Sequence, residues 1–116
     1  MASPRRIEQL NIVLKEELSK ILDREVEFPE GTLVTITRAI ISEDVRYATI
    51  FVSTLGNAPL VTTEILKKNI YRIQHMLNRA LRIRPVPKIR FVTDEGEARR
   101  ETVEKSIAEL KRDGSF

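Results

Sequence analysis

Residues 60 to 83 form one long run without a proline, and its two sides have opposite chemistry. Lys68, Arg72, His75, Arg79 and Arg82 recur at i, i+4, i+7, i+11 and i+14. At ~100° per residue this places all of them within roughly ±40° of one helix line. Leu66, Ile70, Ile73, Leu77 and Leu81 keep the same period on the opposite side. A continuous or mildly bent helix built this way must bury one face against another element and leave a basic face in water. The basic character continues past the helix: between Lys67 and Thr93 there are eight Lys or Arg residues and no acid, so a chain of net charge +3 carries a segment of +8 inside a remainder of −5. A surface shaped for solubility alone would mix both signs, so this segregation points to a polyanionic partner.

The flanking segments show what the apolar face packs against. Ser3 followed by Pro4 reads as an N-cap with proline at the first helical position, and Ile7, Leu10, Leu14, Leu18 and Ile21 then recur at helical spacing, predicting a first helix that ends near Arg24. A turn at Phe28 to Gly31 follows. LVTITRAII, residues 33 to 41, and RYATIFVSTL, residues 46 to 55, alternate as half-buried strands, with a bulge or strand end expected near Arg38. The polar stretch 42 to 45 joins them, so the two strands can pair as a hairpin. Pro85 and Pro87 stop the long helix near Ile83, and KIRFVTD, residues 88 to 94, is a third strand. Val103, Ile107 and Leu110 mark a last helix from Glu97 to about Lys111 with a frayed tail. Within the long helix Asn69, Ile70 and Tyr71 form the weakest stretch, where a kink is expected.

At 116 residues, with 41% hydrophobic and 32% charged residues, the expectation is a single α+β domain with a real core. No apolar run approaches the ~18 residues of a membrane span, and the N-terminus lacks the apolar core of a signal peptide, so a cytoplasmic location is expected. No cysteine and one histidine make disulfide, thiolate and zinc chemistry poor candidates, and four scattered glycines cannot assemble a phosphate-binding loop. No catalytic residue, metal site, cofactor or small-molecule substrate is assigned. Ser42, Glu43 and Asp44 read as a hairpin turn rather than as an acid-base pair.

The order of elements is that of a type II KH domain, a three-stranded mixed sheet covered on one face by helices. LVTITRAIISEDVRYATIFVSTLG, residues 33 to 56, and MLNRALRIRPVPKIRFVTDEG, residues 76 to 96, resemble the ribosome-binding factor A family. The second string is the more specific, with a basic helix end and an R-x-R-x-V-P turn at Arg82, Arg84, Val86 and Pro87. The resemblance implies a KH-like domain over residues 1 to 96, followed by a C-terminal helix and tail at 97 to 116. It also implies a non-catalytic, monomeric assembly factor that docks on the immature small ribosomal subunit, contacts its rRNA and favours late rRNA maturation, including in the cold. In place of the family's A-x-G at the helix kink this chain has Asn69, Ile70 and Tyr71. The surface expected to meet RNA comprises Lys67, Lys68, Arg72, His75, Arg79, Arg82, Arg84, Lys88 and Arg90. The alternatives are a general single-stranded RNA binder of the KH type, against which the absence of a GXXG loop counts, and a protein–protein adaptor with a basic face.

Overall fold

The computed structural model describes residues 3–56 and 59–94. Its first helix, α1 (Pro4–Glu25), starts where Ser3 is held extended and its hydroxyl accepts the Arg6 N–H at 3.3 Å. Pro4 follows at the first turn, where no N–H is required. Leu14, Leu18, Ile21 and Leu22 are buried on one side, while Ile7 and Leu10 pack partly. The helix ends when Val26 turns extended, its N–H still reaching the Leu22 carbonyl.

Strands β1 (Leu33–Ile41) and β2 (Tyr47–Leu55) form an antiparallel hairpin, and β3 (Lys88–Thr93) adds parallel to β2, so β2 lies at the centre. Ser42 and Asp44 build the turn. The Ser42 hydroxyl donates to Asp44 Oδ1 at 2.6 Å and accepts the Tyr47 N–H, and Asp44 Oδ1 also accepts the Arg46 N–H. The β1–β2 register slips between Ile36 and Arg38, the place where the alternation of the sequence breaks. The Thr37 hydroxyl, at that slip, donates to Asp94 at 2.6 Å and so ties the end of β3 across the central strand. At the other end of the hairpin, Gly56 has φ +104°, and a Cβ there would strike the Gly31 carbonyl oxygen.

Side chains alternate across the sheet. Ala48, Ile50 and Val52, with Ile36, Ala39, Ile41 and Ile89, join the helices in one core. On the other face Phe51 carries the Arg38 guanidinium over its ring at 4.1 Å.

The long basic run is two helices, α2 (Pro59–Lys68) and α3 (Ile70–Ala80), separated by Asn69 at φ −100°, ψ 7°. The Asn69 side chain donates to the Ile65 carbonyl at 2.8 Å, and the Asn69 N–H points to the same oxygen at 3.1 Å. Asparagine tolerates such backbone geometry because its short amide can satisfy a local carbonyl.

The helix also stops earlier than the prolines suggest, at Ala80 rather than Ile83. Leu81 is already extended at ψ 142°, yet it stays buried and its N–H caps the Leu77 carbonyl. An apolar residue can thus keep the helical period after the helix has ended. Arg84 folds its guanidinium back onto the Leu81 and Ile83 carbonyls, at 2.9 and 2.7 Å, and so holds the turn that follows the helix. The early exit brings the chain round to β3, where the Lys88 N–H donates to the Arg46 carbonyl and pairing with β2 begins. The helix expected from Glu97, and the boundary expected at 96, lie outside the described residues.

Candidate nucleic-acid interface

Helix α3 buries Ile73 and Leu77. At ~100° per residue the line opposite that pair passes through His75, with Tyr71 one turn before it and Arg79 one turn after. All three are exposed. Lys67 and Lys68 occupy the last turn of α2 and Arg79 the last turn of α3, where the partial negative charge of a helix end favours cations.

The structure divides the nine expected RNA-facing residues into groups. Lys67, His75 and Arg79 project into solvent. Lys68 and Arg72 line a cleft of about 530 Å³ shared with Glu25 and Glu27, and Arg72 Nη2 meets Glu25 Oε2 at 2.9 Å. That side of the stripe is therefore partly neutralised by the end of α1. Arg82 lies beyond the helix, beside an apolar groove between α1 and the turn that follows α3. The Arg84 guanidinium is occupied with its own backbone. Lys88 and Arg90 alternate with the buried Ile89 along β3. Lys88, at the strand start, reaches the edge of α3. Arg90 pairs in register with Thr49, on the sheet face turned away from the helices. One continuous basic line is thus resolved into an exposed row on α2 and α3, and a pair on β3, Lys88 and Arg90, that share one side of the sheet through their register with Tyr47 and Thr49.

Two residues emerge here that charge counting overlooks. Gln74 fastens α3 to β3: its Nε2 donates to the Pro87 carbonyl and to Asn78 Oδ1, both at 3.0 Å, and its Oε1 accepts the Ile89 N–H at 2.9 Å. Tyr71, considered in the sequence only as part of a kink, is 88% exposed. Its spacing of four from His75 was the available signal. Among the described residues no group of three or more His, Asp or Glu side chains could hold a metal ion, and no helix is long and apolar enough to cross a membrane.

The comparisons with known proteins agree with this architecture. The chain is 31% identical over 114 residues to a ribosome-binding factor A of Gemmatimonas aurantiaca, covering 96% of this chain and 78% of that protein. It is 32% identical over 111 residues to that of Protochlamydia amoebophila, covering 93% and 85%. The crystal structure of ribosome-binding factor A from Thermus thermophilus superposes with a TM-score of 0.68 at 22% identity, covering 75% of this chain and 93% of that one. The solution structure of a Thermotoga maritima protein proposed as a ribosome binding factor A gives a TM-score of 0.68 at 29% identity, covering 84% and 94%. Residues 6–107 match the family described as ribosome-binding factor A, and with the fold and both sequence relatives in accord, the chain belongs to that family.

Proposed function

We propose that this protein is a cytoplasmic assembly factor that binds the immature small ribosomal subunit, contacts its rRNA and favours late maturation of that rRNA without catalysing a reaction. The observation that carries this reading is the acid-free basic surface of residues 67 to 93, set on the outer side of α2 and α3 and at the start of β3. Two features support it: membership of the ribosome-binding factor A family, and the Thermus thermophilus relative that has been fitted into a cryo-EM map of a 30S complex. The domain spanning residues 1 to 96 supplies the surface, with 97 to 116 as an appendage to it.

Phosphate contacts from Lys67, Lys68, Arg79 and Lys88 supply affinity and register, with Arg72 beside them held by Glu25, while the shape of the folded RNA supplies most of the specificity. Arg82, Arg84, Arg90 and His75 extend the surface at its margins. Work is done by differential affinity: the factor binds one RNA arrangement better than another and shifts the population toward it. No bond is made or broken.

The test is the salt dependence of binding to purified small subunits. Each neutralised phosphate lowers log K by about 0.7 to 0.9 per tenfold rise in salt, so about four contacts cost roughly a hundredfold in affinity between 50 and 200 mM. A slope near zero would contradict the electrostatic contact.

A further inference from the structure

We propose that residues 97 to 116 fold back as a helix onto the face of the sheet turned away from α1, α2 and α3, seating Val103, Ile107 and Leu110 against Phe51. The contact is internal to the chain and stands independently of the RNA-facing reading above.

Ile50 and Val52 point into the core beneath the helices, so Phe51 between them points the other way, and Thr49 shares its side. Among the described residues no helix covers that side. A sheet face left to water exposes its side chains, as Leu33 and Leu55 are exposed by 59% and 65% at the end of the hairpin. In the middle of the same face Thr49 and Phe51 are each only 1% exposed. The Arg38 guanidinium lies over one side of the Phe51 ring at 4.1 Å and cannot enclose it alone. Arg38 Nε is itself buried and has no hydrogen-bond partner among the described residues. A nitrogen taken out of water without an acceptor is costly, so this face calls for both a cover and an acceptor.

The chain supplies both. After β3 the Asp94 N–H donates to the Val52 carbonyl at 2.7 Å, and the Asp94 carboxylate accepts the Thr37 hydroxyl, which also reaches the Phe51 carbonyl. The chain therefore leaves the sheet beside Arg38 and Phe51. Gly96 permits a reversal, and a helical period opens at Glu97. At ~100° per residue Val103, Ile107 and Leu110 fall within roughly ±35° of one line, and Glu97, Glu101 and Glu104 form a second line about a third of a turn round. The first line is an apolar seam for Phe51, and the second offers carboxylates to the Arg38 guanidinium from the edge of that seam. A helix over residues 97 to 111 is about 22 Å long, against about 10 Å between the outer strands, so it can cross the sheet. Tethering favours this occupant over a separate partner or a second copy, because a linked segment meets its site at high effective concentration and a seam of three side chains is enough.

The test uses the full chain. It contains no cysteine, so Lys105→Cys, on the side of the helix opposite the seam, takes a nitroxide at one site. Paramagnetic broadening is then read on the backbone amides. The Thr49 and Phe51 amides are expected to lose most of their intensity, while those of His75 and Arg79 on α3 keep theirs. Adding Ile107→Asp should restore the Thr49 and Phe51 signals severalfold, because a carboxylate cannot stay in an apolar seam. Weak, uniform broadening overturns the docking, as does broadening strongest at His75 and Arg79 or at Leu10 and Val13. Broadening of Thr49 and Phe51 that arises only between mixed spin-labelled and isotope-labelled chains assigns the cover to a second copy and equally overturns it. An Ile107→Asp chain that stays docked overturns the seam; if that variant fails to fold, the spin-labelled parent decides by itself.

Discussion

Helices α1 and α3 lie side by side under the same sheet, and their inner faces are built alike: Leu14, Leu18, Ile21 and Leu22 on one, Ile73 and Leu77 on the other, each about one helical turn apart. Their outer faces have nothing in common. Over its 22 residues α1 carries five acids and five bases, and its Lys20 and Glu17 pair at 3.5 Å on the surface. Helix α3 carries no acid at all. The sheet demands an apolar stripe of any helix that covers it and is indifferent to the other side. A mixed outer face is what solubility alone produces, whereas a single-signed one, exposed next to an unburied tyrosine, is the part of the molecule shaped by something outside it.

If the inner faces carry the fold, truncating one of them should have the largest effect on stability. Leu77→Ala, at a fully buried position, should destabilise by about 2–5 kcal/mol in a denaturant melt. A loss under half a kcal/mol would mean that α3 is not part of the core. The join between helix and strand comes next. Gln74→Ala leaves the Ile89 N–H and the Pro87 carbonyl without their side-chain partner and should cost about 1–3 kcal/mol, while hydrogen exchange at the Ile89 amide rises more than at the Leu77 amide. The smallest effect belongs to the one bridge where α1's acids reach α3. Arg72 and Glu25 are 52% and 41% exposed, so Glu25→Gln should shift stability by less than about 1 kcal/mol. It should nonetheless steepen the salt slope for small-subunit binding by freeing one more cation, and an unchanged slope would place Arg72 outside the interface.

Local chemistry made much of this legible in advance. The Ser3–Pro4 start, the polar turn at Ser42 to Val45 and the irregularity beside Arg38 each depend on residues close in sequence, as does the break at Asn69, whose amide bonds only four residues back. The end of α3 was harder to see. The two prolines are the conspicuous signal, but Leu81, the residue after the helix, continues the helical spacing into the core from an extended backbone, so the period outlasts the helix. The site shows the same division. Charge segregation is a property of composition and was visible in the chain. The sorting of those charges depends on distant partners: Glu25 lies 47 residues from Arg72, and the pairing of Thr49 with Arg90 sends that arginine to the far side of the sheet. Gln74 carries no charge and no motif, and only the approach of β3 gives it a role.

The contrast between the basic surface and the mixed face of α1 is tested most directly by reversing equal charge on each. One variant carries Lys67→Glu, Arg79→Glu and Lys88→Glu, and the other Lys15→Glu, Lys20→Glu and Arg24→Glu. Both take the net charge from +3 to −3, and all six positions are exposed. Each should therefore melt close to the parent, and long-range repulsion from the subunit should be alike in the two. The measurement is co-sedimentation with purified small ribosomal subunits at physiological salt. The account predicts that the first variant stays in the supernatant while the second travels with the subunit; equal loss in both, or equal retention, would contradict it.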